Sequence, residues 1–241
     1  MIRKHPHQTG FTLVEMAIVL AILGIILGGL FAGTSALRET SKFKEDQQKL
    51  QDIKAALLSY VAVNHYLPCP DTSGDGIENP HDFSQAQCNA TSGNLPHLSL
   101  GTHAVNAYGL PFSYYINTSA NDANSVTDPG TSASYFGRMN CNPNTTNQTS
   151  APCFNKDTPP TSASSGMGNF DISDGSSSIA IEIPLVVISH GQNGCNGVTG
   201  READNCTSNA ATYYQAPQNR EGPNAFDDVL IWLSSLEIKH A

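Results

Sequence analysis

The chain has 241 residues, 39% of them hydrophobic, with 12 Lys/Arg against 21 Asp/Glu and a formal net charge of −9. That length holds one long helix and one modest globular unit, not two large domains. Residues 55–241 carry 5 Lys/Arg against 16 Asp/Glu, so the bulk of the chain lacks the basic footprint that a phosphate backbone requires, and a nucleic-acid receptor is excluded.

A short basic leader, residues 1–10 with Arg3 and Lys4, ends at Gly10, and Phe11 begins an apolar run. An ordinary secretory signal is cut after its apolar segment; here the junction lies before it, so the mature chain keeps the hydrophobic helix. Met16 to Leu37 is 22 residues without a charge, enough at about 1.5 Å per residue to cross a bilayer. Glu15 stands at the edge of that run, where an unpaired carboxylate is costly and marks a functional partner. One helical turn separates it from the Phe11 amine, so that cation, its own or a neighbour's, neutralises it. Two plainer readings treat Glu15 as an accident: a conventional cut after Thr34-Ser35-Ala36 that releases a soluble periplasmic protein, or a simple uncleaved anchor.

Gly10-Phe11-Thr12-Leu13-Val14-Glu15, with the leader charge and the apolar run, resembles the cleavage and methylation site of type IV pilins and of type II secretion pseudopilins over roughly the first thirty residues. The resemblance implies that a prepilin peptidase cuts between Gly10 and Phe11 and methylates the new Phe11 amine. Glu15 then becomes the fifth mature residue and sets the register between parallel helices in a filament. The implied fold is α+β and pilin-like: a long N-terminal helix, half in the membrane and half packed on a head, which holds a small antiparallel sheet and long disulfide-stapled loops. The expected divisions are a leader at 1–10, a transmembrane and filament-core helix at 11–33, its continuation on the head at 34–63, and a periplasmic head at 64–241. Leader charge and uncharged span orient the N-terminus toward the cytoplasm, giving a single-pass inner-membrane protein that is assembled with other pilins, in the envelope or on the cell surface.

Helical character continues past the apolar run. Phe43, Leu50, Ile53, Leu57 and Tyr60 recur at three, four or seven residue steps, and Glu45 precedes Lys49 in the favourable i,i+4 order. One helix is therefore expected from about Phe11 to about Val63, ending before Leu67-Pro68-Cys69-Pro70. Next, Asp71, Ser73, Asp75, Asn79 and Asp82 place oxygen side chains at loop positions 1, 3, 5, 9 and 12, with glycine at 6 and the Ile77 carbonyl at 7. That is the ligand spacing of a twelve-residue calcium loop, although Asp82 replaces the usual glutamate and Pro80 argues against an exiting helix. Two readings stand: a calcium site, or a glycine-rich polar turn closed by Cys69 and Cys88.

Residues 94–117 read as short strands around a turn. Asn106-Ala107-Tyr108-Gly109 is similar to an Asp-Ala-Trp-Gly stretch of several pseudopilins, but with the aspartate replaced, no metal-ligand role carries over to Asn106. Residues 118–178 are rich in Ser, Thr, Asn, Gly and Pro and are expected to form long surface loops. Ile179, Ile181 and Ile183 alternate with Ala180 and Glu182 before Pro184 interrupts and Leu185-Val186-Val187-Ile188-Ser189 follows, giving two short strands or one bulged edge strand. His190 reads as a turn or packing histidine, since no partner spacing accompanies it. The Ser189-His190-Gly191 turn and the segment 226–234 are similar to the tail of prepilin-type proteins that also carry Leu-Pro-Cys-Pro-Asp. Phe226 to Leu236 is expected as a final buried strand, and Asp227 and Asp228 as solvated turn carboxylates or, should that strand start meet the Asp71 loop, as calcium ligands.

All six cysteines lie beyond the apolar run, and none forms a CxxC pair, which fits disulfides in an oxidising compartment. Fifteen connectivities are open. Nearest-neighbour pairing (Cys69 with Cys88, Cys141 with Cys153, Cys195 with Cys206) is the working assignment, because each bond staples a loop poor in core residues. No HExxH, phosphate loop, GxSxG elbow or paired CxxC is found, so a non-enzymatic filament subunit is the expected function. The alternative is a membrane-anchored periplasmic module that binds calcium or another ligand.

Overall fold

Thr12 and Glu15 open the first helix with a capping box. The Thr12 N–H and hydroxyl donate to Glu15 Oε2 at 2.9 and 3.0 Å, and the Glu15 N–H donates back to the Thr12 hydroxyl at 3.2 Å. This Thr-x-x-Glu arrangement satisfies N–H groups that a helix start leaves without partners. The computed structural model describes residues 12–64, 67–79, 88, 90–116, 170–207, 211–219 and 225–241, with side chains at 27–37, 182, 235 and 239 outside the description. Helix α1 runs over Leu13–Asn64, 52 residues. The chain divides into two compact units, Met1–Lys42 and Phe43–Ala241.

In the first unit the described apolar side chains face outward: Leu13 is 90% exposed and Ile25 77%, with Val14, Ile18, Leu20 and Ile22 all above half. Among the described residues no helix is long and apolar enough to cross a membrane. The far end of the expected 16–37 span falls on the side chains outside the description.

In the second unit α1 presents a stripe of opposite fate. Leu50, Ile53, Leu57 and Val61 are at most 1% exposed. They pack with Leu95, Phe112, Tyr114, Leu185, Val187, Ile231 and Leu233 in one core cluster. Val61, not Tyr60, completes the stripe. Tyr60 is half-buried and turns its hydroxyl to Glu78 Oε1 at 2.9 Å. Burying each of these aliphatic side chains is worth about 1.5–3 kcal/mol. The helix stops at Asn64, whose side-chain amide donates to the Tyr60 carbonyl at 2.9 Å.

Beneath the helix lies a four-stranded antiparallel sheet in the order β1 (Ser92–Asn94), β2 (Ser113–Ile116), β5 (Leu185–Ser189), β7 (Val229–Leu233). Period-two alternation sends Tyr114, Ile116, Leu185, Val187, Ile231 and Leu233 to the helix side. Tyr115, Val186, Ile188 and Leu230 point the other way, into a second core with Phe170, Ile172, Ile183 and Tyr213. That second core is closed by a three-stranded sheet in the order β4 (Ser178–Ile183), β3 (Phe170–Ser173), β6 (Thr212–Tyr214). β3 pairs with β4 antiparallel and with β6 parallel. Short helices α2 (His97–Leu100) and α3 (Arg201–Asn205) sit between strands, and α4 (Ser235–Lys239) ends the chain. The structure is thus α+β with an antiparallel sheet, and the described head contains a second, mixed sheet beside it.

Pro184 marks the switch between sheets. Ile183 pairs with Phe170 in the three-stranded sheet, and Leu185 pairs with Ile116 and Leu233 in the other. A proline has no N–H for a ladder, so the ladder ends there and the next strand begins elsewhere. β5 is consequently an interior strand, flanked on both sides and buried at all five positions, rather than part of an edge strand. In β4 the register shifts between the Phe170–Ile183 and Ile172–Ala180 pairs, so two steps on β3 match three on β4. The extra residue reverses the alternation: Ala180 and Ile183 face the core while Ile179 and Ile181 are 47% and 57% exposed.

Cys69 is bonded to Cys88 and Cys195 to Cys206, and no described cysteine is free. Cys141 and Cys153 lie outside the described residues. After β7 the chain does not simply end as a strand. Ser234 caps α4 with a full capping box to Glu237, and Glu237 also meets Lys54 of α1 at 2.6 Å.

Candidate functional site

Four constellations of polar side chains stand out among the described residues, and the first is the helix start. Gly10 and Phe11 lie outside the described residues. Glu15 is described, and in the single chain its carboxylate is engaged by Thr12. The side chains that follow it, through Ile26, form an exposed apolar surface.

The second constellation is buried inside the head. Asp46 stands four residues before Leu50, in phase with the apolar stripe, and is 1% exposed. Its Oδ1 accepts the Ala107 N–H and its Oδ2 accepts the Ser189 hydroxyl at 2.8 Å. Asn106, 2% exposed, donates from Nδ2 to the Ser189 hydroxyl and to the Gly191 carbonyl, both at 3.1 Å. Its Oδ1 accepts the Tyr108 and Leu110 N–H groups at 2.9 Å. Helix, turn and central strand are thereby tied through one carboxylate. Burial pushes the Asp46 carboxyl above its ordinary range, against the Ala107 and Ser189 hydrogen bonds and the Lys49 charge that pull it down.

The third constellation is the loop after α1, which organises itself around Asp71, 2% exposed. Its Oδ1 accepts the Ser73 N–H and hydroxyl and the Gly74 N–H, at 2.9, 3.1 and 2.7 Å, and its Oδ2 accepts the Gly76 N–H at 2.8 Å. Gly76 holds φ of 82°, a left-handed value that lets its N–H turn inward. Asn79 Oδ1 accepts the Thr72 and Ser73 N–H groups, and Asp75 Oδ1 accepts the Ile77 N–H at 2.9 Å. The side-chain oxygens of Asp71, Asp75 and Asn79 thus take loop N–H donors, and Asp82 lies outside the described residues. Glu78, 7% exposed, anchors the same loop by accepting the Cys69 N–H at 3.1 Å and the Tyr60 hydroxyl.

The fourth constellation surrounds His190, which is 5% exposed. Its Nε2 meets the Ser113 hydroxyl at 2.9 Å, and its Nδ1 lies 3.5 Å from Asp228 Oδ1 and 3.7 Å from Cys206 Sγ. Asp228, 4% exposed, accepts the Asn205 side-chain amide at 2.8 Å. Asn205 also donates to the Tyr214 carbonyl at 2.9 Å and accepts the Tyr214 N–H at 2.7 Å. Glu202 accepts the Asp227 N–H at 2.7 Å, and burial raises its carboxyl above the ordinary range. Glu202, Asp227 and Asp228 bring carboxylate oxygens within 4.8 Å of one another, beside a cavity of about 390 Å³ that Gln192, Asn193 and Phe226 also line. The grouping of Asp227 and Asp228 is therefore with Glu202, and Asp228 is a buried carboxylate, not a solvated one. Histidine, cysteine and aspartate here come from distant points of the chain, which is why no spacing announces them.

Residues 5–31 match the family model of the prokaryotic N-terminal methylation motif, the signature of type IV pilins and pseudopilins. No curated protein matches the chain, and no solved structure does.

Proposed function

We propose that this chain is a filament subunit, a minor pilin or a pseudopilin, which enters a type IV pilus or a type II secretion pseudopilus through its N-terminal helix. The methylation motif over residues 5–31 carries this reading, because it marks precursors whose apolar helix is retained after processing. The outward-facing side chains from Leu13 to Ile26 support it: an apolar surface of this extent needs lipid or other helices around it. Prepilin peptidase cuts between Gly10 and Phe11 and methylates the Phe11 amine. The segment 16–37 spans the inner membrane before assembly, with the head in the periplasm. During assembly the Glu15 carboxylate exchanges its Thr12 donors for the Phe11 amine of a neighbouring subunit. The large, disulfide-stapled head fits a minor component, since a bulk subunit must pack its head at every filament step.

Mass spectrometry of N-terminal peptides from sheared surface filaments and from membranes of the same cells tests this. A methylated peptide beginning at Phe11 in the filaments supports a minor pilin, and the same peptide confined to membranes supports a pseudopilin. A peptide beginning at Leu37, or an intact leader, overturns the reading. In the variant Gly10→Glu, processing is expected to stop.

A further inference from the structure

We propose that Cys195–Cys206 is a thiol–disulfide exchange site, attacked by an external thiolate at Cys195 Sγ, with Cys206 as the leaving sulfur held by His190. Three observations converge on it. Cys195 is exposed and Cys206 half-buried, so one sulfur is open to a nucleophile and the other is inside. The inner sulfur lies 3.7 Å from His190 Nδ1. That ring is in turn held between Asp228 Oδ1 at 3.5 Å and the Ser113 hydroxyl at 2.9 Å. Asn205, adjacent in sequence to Cys206 and 0% exposed, fixes Asp228 through a 2.8 Å bond. A leaving thiolate is released faster when a hydrogen-bond donor meets it, and a ring N–H oriented by a neighbouring carboxylate is such a donor.

A thiolate forms a bond to Cys195 Sγ, the Cys195–Cys206 bond breaks, and the electron pair leaves on Cys206 Sγ, which takes its proton or hydrogen bond from His190 Nδ1. With a dithiol as reductant, its second thiolate then attacks its own sulfur in the mixed disulfide. Cys195 is released, the dithiol is oxidised to a disulfide, and the protein is left with two thiols. The other described disulfide lacks these features: Cys69 is 0% exposed, and its N–H is fixed by Glu78. Opening the 195–206 bond removes the covalent tie at the end of α3, while Glu202 and Asn205 keep their hydrogen bonds to the Asp227 and Tyr214 segments.

The test exposes the full-length oxidised chain, in detergent, to limiting glutathione, followed by acid quench, alkylation and peptide mass spectrometry. The expected result is glutathione on Cys195 and alkylated Cys206, formed at least about tenfold faster than any opening of Cys69–Cys88. Glutathione on Cys206 instead, or both bonds opening together, overturns the proposal. His190→Gln and Asp228→Asn are each expected to slow the step roughly tenfold, since the first removes the ring nitrogen at the leaving sulfur and the second the carboxylate that orients it. The closed Cys69–Cys88 bond in the same sample reports that the head remains folded. Unchanged rates in both folded variants overturn the role of His190.

Discussion

Both ends of α1 carry large aliphatic side chains, and their surroundings are opposite. From Leu13 to Ile26 the described apolar side chains are exposed, whereas from Leu50 to Val61 the apolar stripe is at most 1% exposed. The first run is apolar at nearly every position, whereas the second is a stripe at three- and four-residue steps that the four-stranded sheet covers. The stripe is satisfied internally by β2, β5 and β7, so a substitution in it is read in folding. On the proposed function, a substitution in the exposed run is read in assembly.

The largest loss is expected at Leu57. Leu57→Ala is expected to cost about 2–5 kcal/mol of head stability, because it deletes buried methyl groups from a packed core. Denaturant unfolding of the mature chain measures it, and a loss below about 1 kcal/mol would mean that the stripe is not core. Asp46→Ala is expected to cost about 1–3 kcal/mol by leaving the Ala107 N–H and the Ser189 hydroxyl without their acceptor.

The same carboxyl makes a pH prediction. Its value in the folded chain is raised, so the folded state holds that proton more tightly than the unfolded one. Its contribution is fully present below the ordinary carboxylate range and is lost as pH rises through the raised folded value. Asp46→Asn cannot titrate. Its Tm, relative to the parent, is expected to improve as pH rises through that window and to level off on either side. A flat difference across that window would refute the burial argument. Ser234→Ala is a smaller change, about 1 kcal/mol for loss of the α4 cap, visible in the same unfolding curves. Leu20→Ala, in the exposed region, is expected to move head stability by less than about 0.5 kcal/mol while lowering recovery in sheared filaments or the membrane pseudopilus. Equal recovery would remove the contrast between the two ends.

Local signals made part of this legible in advance. The leader, Gly10-Phe11 and Glu15 stand within a few residues of one another, and the motif match over residues 5–31 includes Gly10, Phe11 and Glu15. The stop before Pro68 and the strand at Leu185–Ser189 were also readable from prolines and β-branched runs. Two capping boxes, Thr12-x-x-Glu15 and Ser234-x-x-Glu237, were visible as spacing but were overshadowed by the apolar runs beside them. Asp46 carried one clue, its phase with Leu50 on the stripe.

Other features belong to the tertiary structure alone. Ser189 reaches Asp46 across 143 residues of chain, and Asn106 reaches Ser189 across 83. His190 takes its partners from positions 113, 206 and 228. The sequence determines which segments are helical or extended, because backbone sterics, capping and side-chain periodicity act over a few residues. Which buried carboxylate meets which donor, and which sheet receives the chain after Pro184, is decided only when strands distant in sequence pair, since a buried polar group is stable only beside partners that the folded backbone brings to it.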